Sequence, residues 1–361
     1  MKATVYLHIG MHKTGTTSIQ ATLFKNRERL LAHDINYLSI NQNHSESIYP
    51  LVCERPHLYH VNKLVGIDTE EKAAQRNASI DSALKSALES NTCSRFVISG
   101  EDLFQLEPGG IERLKQKLEP YAAGYRVVVY VREPYGYITS AFQQRLRAGA
   151  TYEELIERSP LPRYRRIQHF IDAFGRDRVD IRVFEQPRFV AGDLIADFLA
   201  AIGSDPDIAK DLDIVRANEA LSYEAALILN EVNKRLPKTE IGLRNPDRAV
   251  KLPQTLEAVV GQRFRCPSAV YAAARPRVAH HLQWLRAVLG ESVFSDEPPQ
   301  DSLTPVWNEE TLASLGLLIN ELANQVAEAR SSRGRQDLRQ AFTAVLPAVG
   351  KALGRWTKAA S

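Results

Sequence analysis

One run, Tyr125-Arg-Val-Val-Val-Tyr-Val131, limits the possible folds more than any other part of the chain. Its nearly continuous β-branched and apolar character suits a strand covered on both faces, as central strands of parallel sheets are. Parallel neighbours need crossover connections, and helical patterns on either side can supply them. Ala3–Ile9 and Arg95–Ser99 read as further strands, and Asp180–Phe184 as a fourth. Helical spacing appears over 16–32, 70–89, 110–118, 137–147 and 192–202. Strand and helix alternate, so the expected class is α/β, a central parallel sheet with helices on both faces.

From about Ser222 the strand patterns vanish, and 222–236 and 256–290 read as largely helical. Asp296-Glu-Pro-Pro-Gln-Asp301 has the composition of a linker. Beyond it, 309–330 and 336–357 read as two helices separated by the polar Ser331–Gly334. The expected organisation is an α/β domain over 1–295, helical from about 222, and a helical C-terminal extension over 296–361.

Lys and Arg total 46 against 43 Asp and Glu, a net charge of +3, which gives no basis for nucleic-acid binding. No stretch approaches the ~18 apolar residues that span a bilayer. Met1–Gly10 enters an apolar run containing His8 and does not resemble a secretory signal, so a cytoplasmic location is expected. Cys53, Cys93 and Cys266 lack metal-type spacing and read as free thiols in a reducing compartment. His57, His60, His280 and His281 have no cluster of further ligands beside them, and no metal is expected.

The first chemical motif follows the first strand: Ile9-Gly-Met-His-Lys-Thr-Gly-Thr-Thr-Ser18, running into a helix. A strand, a glycine turn and a helix N-terminus form an anion site, because unpaired N–H groups converge there and the helix dipole favours negative charge. Gly15 lets the backbone approach an oxyanion closely. Thr14, Thr16, Thr17 and Ser18 carry hydroxyls, and Lys13 adds a mobile cation. In this loop the backbone of His12 is expected to matter more than its ring. A Walker A loop places Lys directly after its second glycine, whereas Thr16 follows Gly15 here. A nucleotide kinase or NTPase therefore lacks its central cation. The plain alternative is a capped helix after a strand.

The second motif closes the strongest strand: Val129-Tyr-Val-Arg-Glu-Pro134, then a helix carrying Ser140. An arginine at the carboxyl end of a parallel strand faces the crevice where open α/β sheets bind ligands. Its planar fork can grip a phosphate through two hydrogen bonds. The competing reading is an Arg132 satisfied by a local carboxylate such as Glu133.

Lys13-Thr-Gly-Thr-Thr-Ser18 resembles the 5′-phosphosulfate loop of sulfotransferases that use 3′-phosphoadenosine-5′-phosphosulfate (PAPS). Arg132 followed by Ser140 resembles that family's 3′-phosphate motif. Ser18, where cytosolic members usually carry an aromatic residue, is closer to the carbohydrate and bacterial branches. Ala148–Glu154, Val183–Pro187 and Ala217–Ser222 also resemble bacterial members. The resemblance covers roughly 3–295. It implies a P-loop-type nucleotide-binding fold, PAPS as donor, the bisphosphate PAP as product, no metal, and a small-molecule or carbohydrate acceptor sulfated on a hydroxyl or amine.

The resemblance also implies a base at the end of the second strand, in Phe96-Val-Ile-Ser-Gly-Glu-Asp-Leu-Phe104. Glu101 is the candidate, with Asp102 its nearest rival and a local capping role the alternative. Lys13 would neutralise charge on the leaving oxygen. The expected donor site is Lys13, Thr14, Gly15, Thr16, Thr17, Ser18, Arg132 and Ser140. Acceptor contacts are expected from 36–63, 143–157 and 236–275. A non-catalytic nucleotide-binding scaffold is the third possibility, and it would have no need of a base.

Overall fold

The structure, a computed structural model, describes residues 2–157, 161–215, 220–237, 239–240, 243–244, 252–290, 293–299 and 304–332. Those within 1–141, 160–218 and 271–299 form one unit, and those within 142–159, 219–270 and 300–361 a second.

The first unit contains a five-stranded sheet: β1 (Ala3–His8), β2 (Ile35–Tyr37), β3 (Arg95–Ser99), β4 (Ala122–Val131) and β5 (Val179–Val183). The spatial order is β2-β3-β1-β4-β5 and every pairing is parallel, so the expected α/β class is found. Sequence reading anticipated four of these strands. The fifth, β2, is a three-residue edge strand paired with β3. β1 lies at the centre, with His8 opposite Ser99 on one side and Val128 on the other.

Side chains alternate across the sheet, as strand geometry requires. Val128 and Tyr130 of β4 join a buried cluster with helices α1 (Thr16–Lys25) and, later in the chain, Leu194–Ala201, through Ile19, Leu23, Ile195 and Phe198. His8 of β1 faces the same side, its ring 5.2 Å from that of Phe198. The expected single helix over 16–32 breaks at Asn26, whose side-chain amide donates to the Thr22 carbonyl at 2.8 Å. A short α2 (Arg27–Leu31) resumes after it.

Next come α3 (Ser45–Val52), α4 (Glu70–Glu89) and α5 (Pro108–Leu118). In α4 the Thr69 hydroxyl accepts from the Lys72 N–H, and Ala73, Ile80, Leu84 and Leu88 are its buried stripe. Pro108 occupies the first turn of α5 and Pro134 begins α6 (Pro134–Arg147), positions where the missing N–H costs nothing. Helix α7 (Ile167–Phe174) buries Ile167, Phe170 and Phe174, with Phe174 stacked 5.3 Å from Tyr125 of β4. Leu194–Ala201 is α8, capped by Asp193 accepting from the N–H groups of Ile195 and Ala196.

The second unit contains α9 (Tyr223–Arg235), capped by the Ser222 hydroxyl. The buried Glu224 accepts from the backbone N–H of Gln262 at 2.8 Å and of Val306 at 3.0 Å. Asn230 accepts from the Tyr152 N–H, and Asn233 donates to the Leu146 carbonyl, each at 2.8 Å. A two-strand antiparallel ladder, Thr239–Glu240 with Leu243–Arg244, corrects the expectation that strands end at Ser222. Helix α10 (Ser268–Leu289) falls in the first unit from Tyr271 onward, whereas α11 runs from Glu309 to Ser332 in the second. The expected helix over 336–357 and residues 217–219 lie outside the described residues. Among the described residues, no helix is long and apolar enough to cross a membrane.

Candidate functional site

Three adjacent strands, β3, β1 and β4, end at one edge of the sheet and carry Glu101, the Lys13 loop and Arg132 respectively. The loop is bound to the end of β4: Tyr130 donates its N–H to the Gly10 carbonyl at 2.8 Å, and Met11 donates to the Tyr130 carbonyl at 3.1 Å. Gly10, Lys13 and Gly15 all have positive φ, which coils the chain tightly before α1. Gly15 stands at the N-cap of α1 with φ 72° and gives the first turn no side-chain cap. A β-carbon there would meet Leu194 at 2.4 Å and Phe184 at 3.0 Å, so only glycine fits this turn.

The hydroxyls of the loop are not equivalent. Thr14 and Thr16 are buried and donate to the Met11 carbonyl at 2.6 and 3.1 Å, so they hold the loop's shape. Thr17 is exposed, and Ser18 and Lys13 are half-buried.

Arg132 reaches back across β4 and donates from Nη1 to the Lys13 carbonyl at 2.9 Å. Its guanidinium carbon lies 5.8 Å from the centre of the Phe184 ring, the ring that also crowds Gly15. The Tyr164 hydroxyl donates to the Arg132 carbonyl, which pins the backbone at the strand end. Glu133 is occupied otherwise: its carboxylate accepts from the N–H groups of Tyr135, at 2.8 Å, and Gly136, capping α6. Burial pushes the Glu133 carboxyl up from its ordinary value. A β-carbon on Gly136 would lie 3.4 Å from Arg132 Nε, so this helix face adjoins the guanidinium. Ser140, half-buried, sits about one turn further along α6 on that face.

Glu101 and Asp102 open a 3₁₀ turn, Glu101–Gln105, directly after β3 and Gly100. Gly100 passes so close to α3 that a β-carbon would sit 2.7 Å from the Ser45 backbone nitrogen. The Ser45 hydroxyl accepts from the Asp102 N–H at 2.9 Å. The Asp102 carboxylate is nearly buried and accepts from the Tyr59 hydroxyl at 2.5 Å and the Gln105 amide at 2.6 Å.

The His12 ring, unassigned by sequence reading, lies between the two carboxylates. Its Nδ1 is 3.3 Å from Glu101 Oε2 and its Nε2 is 3.2 Å from Asp102 Oδ1. Burial opposes a charge on the ring, but the hydrogen bonds to Asp102 and Glu101 outweigh it and lift its pKa to about 9. For Asp102, burial works upward and the bonds from His12 and Tyr59 work downward, and the balance lies below the ordinary carboxylate range. Beneath the loop, His8 and His44 are fully buried and pushed down to about 3 and about 4 by loss of solvent. His44 Nδ1 accepts from the Ser99 N–H while Nε2 faces the Leu38 carbonyl, which fixes it as the neutral Nε2–H tautomer.

A cavity of about 400 Å³ adjoins this cluster. Tyr49, Tyr59, His60, Arg55 and Arg113 line it, together with Gln105 of the Glu101 turn. Its Tyr59 and Gln105 are the same side chains that bond Asp102. Residues 49–60 fall within the first segment expected to contact an acceptor. Among the described residues, no group of three or more His, Cys, Asp or Glu side chains could hold a metal ion.

No protein-family profile matches the chain. Its structural neighbours are sulfotransferases. One is the crystal structure of a sulfotransferase from Alicyclobacillus acidocaldarius, with TM-score 0.40 and 16% identity over 81% of this chain and 98% of that one. Another is the sulfotransferase domain from the curacin biosynthetic pathway, with TM-score 0.32 and 10% identity over 77% and 98%. Such scores are too low to carry an argument, and the fold rests on the strand order and pairing above. By sequence, 141 residues are 23% identical to an "Uncharacterized protein" of Archaeoglobus fulgidus. The match spans 39% of this chain and 38% of that relative.

Proposed function

We propose that the protein is a sulfotransferase that moves a sulfuryl group from PAPS to a hydroxyl or amine of a small-molecule or carbohydrate acceptor. The observation that carries this reading is the contact between its two anion motifs: Arg132, at the end of β4, is hydrogen-bonded to the carbonyl of Lys13, in the loop after β1. A lysine, an arginine and a helix N-terminus without a side-chain cap make a donor set suited to a nucleotide bearing phosphates at two positions.

When bound, PAPS supplies an activated sulfuryl group on a phosphate leaving group. In this reading Lys13 and the first turn of α1 neutralise charge building on the leaving oxygen, and Thr17 and Ser18 offer hydroxyls to the same group. Thr14 and Thr16 serve through their backbone, since their hydroxyls shape the loop. Arg132 and Ser140 recognise the 3′-phosphate. Glu101 takes the acceptor's proton, and the cavity lined by Tyr49, Tyr59, Arg55 and Arg113 holds the acceptor beside it. By analogy with phosphoryl transfer, position and electrostatics supply most of the rate.

The test is transfer from ³⁵S-labelled PAPS to a panel of glycans and cell-extract small molecules. Lys13→Ala and Glu101→Gln are each expected to abolish labelling, and Glu101→Gln to leave PAP affinity within about twofold of wild type, because the base makes no donor contact. Normal transfer by Glu101→Gln would remove Glu101 from its role, and absence of any labelled product with the wild type would refute the assignment.

A further inference from the structure

Sequence reading gave His12 a backbone role, yet its ring is the link between two carboxylates. We propose that His12 is a positioning residue whose protonated ring, anchored on Asp102, fixes the direction of the Glu101 carboxylate. The proposal rests on the reading of Glu101 as the base and adds what prepares it.

The geometry gives each partner a distinct part. Asp102 is the fixed end: Tyr59 binds one carboxylate oxygen, Gln105 the other, and the Ser45 hydroxyl holds its backbone N–H. His12 turns one nitrogen to that anchor and the other to Glu101, so both ring nitrogens face acceptors, which only the imidazolium can serve at once. Gln105 Nε2 stands 3.4 Å from His12 Nε2, and both are donors converging on Asp102 Oδ1. The ring is therefore aimed by the buried anchor, and Glu101, with 28% of its side chain exposed, is aimed by the ring.

The charges around the ring are consistent with this role. Glu101 and Asp102 face it from the turn after β3, and His60 is the further titratable group near Asp102. Lys13 follows it in the loop. Two carboxylates against one ring keep the ring protonated.

The experiment measures kcat and donor KM for wild type, His12→Gln and His12→Arg, the last of which keeps a cation able to reach both carboxylates. Retained PAP binding shows that each variant is folded, and His12→Asn replaces Gln if that variant is not. With labelled PAPS, His12→Gln is expected to lower kcat by about 10-fold or more with little change in donor KM, and His12→Arg to recover most of it. An unchanged kcat in His12→Gln overturns the proposal, as does a loss that His12→Arg fails to recover. Failure of the base reading shows separately, as transfer that survives Glu101→Gln.

Discussion

Arg132 and Lys13 lie far apart in sequence, yet the guanidinium of one donates to the carbonyl of the other at 2.9 Å. Arg132 therefore supports the loop that carries Lys13, in addition to the phosphate-binding role proposed for it. A lysine at this position could keep the charge but not the planar fork that serves both.

Gly100 is the point of closest approach between the Glu101 turn and α3. Gly100→Ala places a methyl group 2.7 Å from the Ser45 backbone nitrogen, and backbone yields less readily than a side chain. The expected cost is about 1–3 kcal/mol, typical of overpacking, read as a lower urea midpoint at unchanged m-value. Because Ser45 also holds the Asp102 N–H, donor-independent disorder of the Glu101 turn should accompany it. A variant as stable as wild type would show that α3 can move aside.

His12 makes stability depend on pH in a defined sense. Folding raises its pKa from the ordinary 6.5 to about 9, so its contribution is complete below 6.5 and is lost as pH rises through 9. The difference in Tm between wild type and His12→Gln should be largest near neutrality and below, and should shrink steadily toward pH ~9.5. A difference that is flat across this range would mean that the ring is neutral in the folded protein.

Asp197 secures the far side of β4. Its buried carboxylate takes two hydrogen bonds from Arg182, at 2.7 and 2.8 Å, and one from the Tyr130 hydroxyl at 2.7 Å. Asp197→Ala leaves Arg182 and Tyr130 without that acceptor and should cost about 3 kcal/mol in chemical denaturation. Tyr130 also holds Gly10 through its backbone, so PAP affinity should fall as well. Stability loss with unaltered PAP affinity would separate the sheet from the loop.

Much of this was legible because it is local. The apolar run at Val127–Val131, the stripe in α4 and the glycine loop before α1 each declare themselves within a few residues. Other elements did not, β2 and α3 among them. β2 is too short for a period to register, and α3 contains Pro50, which argues against a helix until its buried face is seen. The His12 cluster was hidden for a different reason. Its members come from the loop after β1, the turn after β3 and the segment around Tyr59, so no spacing rule joins them. The one available signal was a histidine in the loop together with two successive carboxylates ending a neighbouring strand, which becomes informative only once the strand order is known.

Calorimetric titration with PAP and with 5′-AMP, which lacks the 3′-phosphate, tests the central claim most directly. Wild type should bind PAP more tightly than 5′-AMP, and Lys13→Ala should weaken both. Arg132→Ala should remove most of the preference for PAP, about 10–100-fold for a charge-assisted phosphate contact. Equal affinity of the wild type for the two nucleotides, or equal losses for both in Arg132→Ala, would contradict the account.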